Sequence, residues 1–137
     1  MSLFKIFDTA ASGMSAQSLR LNLVSSNMAN ADAVSSSIDQ TYRARQPVFQ
    51  TLLDQSNPDA AASGVRMAGV VESQAPLVQE YSPEHPLANE EGYIFRPNVN
   101  MVEEMANMLS ASRSYQGNVE VANSAKQLLL ATLRMGQ

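Results

Sequence analysis

Proline is absent from the first 46 residues and from everything after Pro97, while Pro47, Pro58, Pro76, Pro83 and Pro86 crowd the middle of the chain. Proline removes a helical hydrogen bond and clashes with the preceding turn, so long helices are confined to the two ends. In the first end Leu3, Phe7, Ala10, Met14, Gln17, Leu21, Val24, Met28 and Ala31 alternate steps of four and three. That is a heptad seam with one polar member. It predicts a helix over Leu3 to Ala31, roughly 44 Å long, whose narrow apolar stripe needs a second helix to cover it.

The helical pattern returns after Pro97. Asn100 is placed to cap, Glu103 follows at capping-box spacing, and Glu103 with Glu104 puts negative charge on the positive end of the helix dipole. The expected seam runs Met101, Met105, Met108, Ser112, Tyr115, Val119, Ala122, Lys126, Leu129 and Leu133, with Arg134 and Gly136 as terminal signals. Off these seams Leu19, Leu23, Val102, Leu109 and Leu130 remain apolar. Apolar surface that one helix pair cannot cover points to further subunits.

Between the helices, Tyr42 to Leu53, Val65 to Glu72 and Leu77 to Tyr81 carry β-branched and aromatic residues between turn formers, which predicts strands or extended arms. Residues 54–63 read as a mobile loop. The expected fold is mainly α: two long terminal helices paired as a coiled-coil-like hairpin, with a small, irregular, β-containing insert. Residues 1–31 and 98–137 would form one discontinuous helical core, and residues 32–97 the insert.

Composition narrows the function. With 6% aromatics and no Trp, the core must come from Leu, Val, Met and Ala. No cysteine is present, which excludes disulfides and thiolate metal sites. The net charge of -4 comes with no Lys/Arg cluster, so nucleic acid is not an expected partner. The first residues lack the charged, apolar and cleavage segments of a secretory signal, and no run of about 18 apolar residues predicts a membrane span.

Nothing in the pattern suggests an enzyme, a cofactor or a metal. His85, the single histidine, sits between prolines with no nucleophile pattern nearby and reads as a loop residue. Glu103 and Glu104 point about 100° apart on a helix and cannot converge as an acid-base pair. Met101, Met105 and Met108 have packing spacing. Asn27 and Asn30 have two readings of equal weight, local helix-ending amides or bridges between subunits. Arg113 with Tyr115 suits a partner contact.

The residues also carry a resemblance. Leu23 to Asp32, reading LVSSNMANAD, is similar to the amino-terminal signature of the flagellar rod and hook axial proteins, with Asn27 and Asn30 as motif residues, and Tyr42 and Arg43 resemble the element that follows it. Asn98, Asn100, Glu103, Glu104, Arg113 and Asn118, within the stretch from Pro97 onwards, resemble the carboxy-terminal helix of proximal members of the basal-body rod family. Gly117 departs from that pattern, where Ala is usual, and predicts a local bend.

The resemblance implies a structural subunit of the proximal rod, part of the axial drive shaft between the membrane ring and the distal rod and hook. Its partners would be other rod proteins, copies of itself, components of the membrane-ring junction and the type III export apparatus. It would lie in the periplasmic part of the basal body, exported without signal cleavage, with Phe49 and Leu53 resembling an export signal. The assembly seam would comprise Phe7, Met14, Leu21, Val24, Met28, Met105, Met108, Tyr115, Val119, Ala122, Leu129 and Leu133. The competing reading is a soluble, dimerising helical adaptor whose seams close within a dimer.

Overall fold

A computed structural model describes residues 3–53 and 64–136. Two helices, α1 (Leu3–Ala29) and α2 (Met101–Met135), frame an insert built of two antiparallel hairpins. The mainly helical fold with a β-containing insert is therefore observed. The expected mobile loop over 54–63 lies outside the described residues.

α1 stops two residues short of the expected Ala31. The Asn30 side chain turns back to donate to the Ser26 carbonyl at 2.8 Å, and its own N–H is shared between the carbonyls of Ser26 and Asn27. This local competition for backbone groups is what ends helices at asparagine. α2 starts where expected: the Asn100 side chain accepts from the N–H groups of Val102 and Glu103 at 3.1 and 3.3 Å. It then runs unbroken through Gly117, where an added Cβ would meet nothing within 4 Å.

In the insert, β1 (Arg45–Leu52) pairs with β2 (Gly64–Glu72), Arg45 opposite Glu72. The register slips between Val48 and Phe49, leaving one extra residue on β2, the local device by which a strand twists. This hairpin lies against α1, where the Val65 N–H donates to the Ser12 hydroxyl at 3.2 Å. Ala16, one turn further along α1, is buried.

The second hairpin pairs β3 (Val78–Tyr81) with β4 (Tyr93–Arg96). β4 was not among the expected strands. It carries two of the buried apolar side chains of the insert, Ile94 and Phe95, and Phe95 also exchanges two backbone bonds with Ser35, which ties the chain leaving α1 to this hairpin. Asp32 and Glu80 both approach the Arg96 guanidinium, at 3.1 and 3.6 Å.

Gly92, just ahead of β4, has φ of +83°, and a Cβ there would stand 2.9 Å from the Tyr81 ring and 3.1 Å from Pro83 Cβ. Gly92→Ala should lower stability by about 1–3 kcal/mol, through left-handed backbone strain and a clash that Tyr81 must relieve. Denaturant unfolding monitored by circular dichroism checks this; an unchanged midpoint would contradict the placement of the β3–β4 turn.

A candidate assembly surface and its internal clamp

The two helices run antiparallel. Near one end Asn27 faces Glu104 and the Arg20 guanidinium donates to the Asn107 carbonyl oxygen at 3.0 Å. Further along, Gly13 lies so close to Asn118 that an added Cβ would be 2.7 Å from its amide nitrogen. At the far end Phe4 and Phe7 meet Ala125, Lys126 and Leu129 around a cavity of about 370 Å³. From Asn27 back to Gly13 is two heptads, and from Glu104 forward to Asn118 is two heptads, as a constant antiparallel register requires.

Within the chain the expected rows differ in burial. One row of α1 (Ala10, Gln17, Val24) and one of α2 (Met108, Tyr115, Ala122, Leu129) follow the anticipated heptads, with Ala10, Val24 and Ala122 buried and Met108 and Leu129 half-buried. In the second rows the neighbouring residue is often at least as buried. Asn27, Glu104, Ala111 and Ala125 are buried where Met28, Met105, Ser112 and Lys126 are half-buried or exposed, while Gly13, Arg20 and Asn118 are half-buried like Met14, Leu21 and Val119 and meet across the pair as Gly13 against Asn118 and Arg20 with Asn107.

The physical reason is distance. Glycine, alanine and short polar side chains let two helices approach closely, and many of the bulkier residues are left partly or largely exposed. Met14, Leu21, Met28 and Val119 are half-buried, Phe7 and Tyr115 are exposed, and Met105 and Leu133 are 57% and 62% exposed. α2 is also longer, 35 residues against 27, so its last turns carry Leu130, Leu133 and Met135 exposed.

The polar motif residues gather at the other end. Asn27 is 1% exposed. Its amide grips the backbone of Arg45 as a neighbouring strand would, donating to the Arg45 carbonyl and accepting from the Arg45 N–H, both at 2.9 Å. The same oxygen accepts from the Tyr42 hydroxyl at 2.8 Å, and Ser26 lies 3.3 Å from that hydroxyl. Asn98 holds the segment from the opposite side: it accepts from the Ala44 N–H at 2.8 Å and donates to the carbonyls of Ala75 and Ser73 at 2.8 and 3.3 Å. Arg43 bonds those two carbonyls as well, and Arg45 stacks over the Tyr42 ring with 5.4 Å to its centroid.

Of the two readings of the asparagines, Asn30 matches the local, helix-ending one, whereas Asn27 matches neither: its amide joins α1 to Tyr42 and Arg45 of the same chain. Arg113 is exposed and Asn118 is half-buried against Gly13. Phe49 lies on β1 and Leu53 just beyond it, both exposed. His85 is structural, its Nδ1 accepting from the Leu87 N–H at 3.1 Å. Sequence reasoning missed Gly13, Arg20 and Asn107; the signal was present, since Gly13, Arg20 and Asn27 share a heptad spacing one residue ahead of the methionine row.

Glu104 and Gln17 each keep a buried side-chain oxygen without a hydrogen-bond partner, and of the two only Glu104 can carry charge. It is 7% exposed, and its Oε2 has no hydrogen-bond partner. Burial pushes its carboxyl above the usual carboxylate range; the Asn27 amide pulls it back, Glu103 pushes it up, and Arg20 pulls it down.

Two family patterns match the ends that carry this geometry. The pattern described as "Flagella basal body rod protein" covers residues 7–35, and that described as "Flagellar basal body rod FlgEFG protein C-terminal" covers residues 90–135. Over 137 residues, spanning all of both chains, this chain is 53% identical to the flagellar basal-body rod protein FlgC of Escherichia coli O157:H7 and 51% identical to that of Salmonella typhimurium. It belongs to the FlgC family of flagellar rod proteins. A more distant FlgC, from Borreliella burgdorferi, is 34% identical over 153 aligned residues covering 99% of that relative. FlgC-family membership makes the chain a structural rod protein of the basal body, and the closed cytoplasmic adaptor is not favoured.

Two outcomes follow from the clamp. Asn27→Ala should cost about 3 kcal/mol, since it strands the N–H and carbonyl of Arg45, whereas Asn30→Ala, losing one bond to Ser26, should cost about 1 kcal/mol; chemical denaturation of both variants checks the ratio. Glu104 has its folded pKa raised above the ordinary value of 4.5, so its contribution to stability is full below that pH and is lost as pH rises through the folded value. The stability difference between Glu104→Gln and the wild type should therefore shift in favour of Gln on going from pH 4.5 to about pH 8. A difference that is flat with pH would show that the carboxyl is not desolvated.

Proposed function

We propose that this chain is a structural subunit of the proximal rod, in which α1 and α2 form a pre-assembled, coiled-coil-like hairpin whose outward apolar rows pack against neighbouring subunits. The observation that carries this reading is the split of the helix faces. Small and polar residues close the hairpin, and Phe7, Met105, Leu109, Leu130 and Leu133 stay exposed on it. Exposed apolar side chains repeated along two long helices are the signature of a surface made to be covered.

In this reading the axial shaft is built of such hairpins laid side by side, and the β1–β2 hairpin lies outside the helical pair. The neighbours are other rod proteins, further copies of this chain and components of the membrane-ring junction. The subunit reaches the periplasmic part of the basal body through the flagellar type III export apparatus. Family membership supports the rod itself; the position within it, the neighbours and the export route rest on the resemblance of the terminal motifs.

Met105→Asp tests the outward rows. The side chain is 57% exposed, so the isolated subunit should keep its stability to within about 0.5 kcal/mol. A carboxylate buried without a partner between subunits costs several kcal/mol, so incorporation into basal bodies and swimming should both be lost while export continues. Glu120→Ala, on an exposed polar position of the same helix, should leave motility intact. Normal motility of the Met105→Asp strain would show that this row does not face a neighbour.

A further inference from the structure

The buried carboxylate left without a partner has a cavity in front of it. A space of about 420 Å³ opens between α1, β1 and the first turns of α2, lined among others by Arg20, Val24, Pro47, Phe49, Glu103 and Glu104. We propose that this cavity is a socket for the Arg113 guanidinium of a second copy of the chain, with Glu104 as its floor and Glu103 at its rim. The proposal rests on the rod-subunit reading and specifies one contact within it.

Buried polar atoms in folded proteins are almost always partnered, so an orphan oxygen on a side chain 7% exposed calls for a donor. The cations lining the cavity make their direct contacts with other groups, and Arg20 acts on Glu104 only through space. Arg20 donates to Asn107 at 3.0 Å, and Arg45 pairs with Glu72 at 3.6 Å while lying over the Tyr42 ring. Among the described residues no Lys or Arg nitrogen comes within ion-pair distance of the Glu104 carboxylate. Two carboxylates thus face the space, and among the described residues neither has a cation within ion-pair distance, Arg20 offsetting their charge only in part. The walls contributed by Val24, Pro47 and Phe49 are apolar, which suits the flat, weakly hydrated face of a guanidinium better than a compact ammonium.

Among the described residues two guanidinium groups, Arg113 and Arg134, make neither hydrogen bond nor ion pair, and of these only Arg113 lies along the body of α2. Arg43 and Arg66 hydrogen-bond within their own copy, and Arg96 is paired to Asp32. Arg134 answers the dipole at the end of α2, and Lys126 lines the apolar cavity at the far end of the hairpin. Arg113 is exposed beside Tyr115, with neither hydrogen bond nor ion pair among the described residues.

Its position on the helix gives the contact a direction. Arg113 stands nine residues after Glu104, which is two and a half turns, so it lies on the opposite face of α2 and about 13.5 Å further along the axis. A contact that joins the front of one copy to the back of the next is head-to-tail. Such contacts propagate into rings or helices and do not close as a two-fold dimer.

The test uses the full chain in flagellated cells, with subunit in purified basal bodies measured against subunit exported. Arg113→Gln and Glu104→Gln should each lower incorporation roughly thirtyfold or more, because each leaves the opposite charge buried and unpaired. The double variant should do no worse than the worse single, as expected for two groups acting through one contact. Losses that multiply, or an Arg113→Gln chain that incorporates normally, overturn the socket. The chain has no cysteine, so Glu103→Cys copies expressed together with Ser114→Cys copies give a second readout that leaves both proposed partners intact. A disulfide-linked pair is expected in oxidised basal bodies, and its absence counts against the contact. Absence of the wild-type chain from basal bodies would instead defeat the rod reading itself.

Discussion

The grip of the Asn27 amide on the Arg45 backbone is the interaction on which the rest of the structure depends. A single side chain near the end of α1 supplies both the donor and the acceptor that a strand would otherwise provide. The returning chain can therefore lie against a helix without leaving buried peptide groups unpaired. Because the same oxygen also accepts from Tyr42, the direction in which the insert departs is fixed together with its register. Asn98 repeats the device from the other side, so the entry to the insert and the approach to α2 are tied into one polar junction.

The helix pair makes a different compromise. An interior of Gly13, Ala111, Ala122 and Ala125 buries little area per residue, and many of the larger apolar side chains that could have stabilised the isolated hairpin are left partly or largely exposed. Hydrophobic stabilisation scales with area removed from water. A fold that keeps its large residues outside is weaker alone and gains more when covered. The polar contacts between the helices, Arg20 with Asn107 and Asn27 with Glu104, add alignment: a slip of one heptad would separate both pairs.

Much of this was legible in the sequence. Proline placement marked the two helices, and Asn100 with two glutamates after it marked the start of α2. The resemblance in the terminal motifs named the family. What escaped was which residues of two neighbouring rows are the more buried. Rows such as Phe7, Met14, Leu21 and Met28 win any hydrophobic count, and the rule that apolar residues go inside fails where close approach of the backbones decides and an outer surface awaits partners. β4 escaped because Tyr93 to Arg96 directly abuts Pro97 and the start of the helical motif. Its role becomes evident only when Ser35 is seen bonded to Phe95.

The two ends of the helical hairpin are unlike. One is closed by directional bonds among Asn27, Tyr42, Arg45 and Asn98; the other surrounds an apolar cavity between Phe4, Phe7 and Leu129. Hydrogen bonds resist displacement over a few tenths of an ångström, whereas apolar side chains slide and repack at small cost. Under twist, the hairpin is therefore a beam fixed at one end and compliant at the other. In a rotating shaft built from such beams, strain would collect at the apolar ends, leaving the polar junctions to keep the angular spacing between subunits.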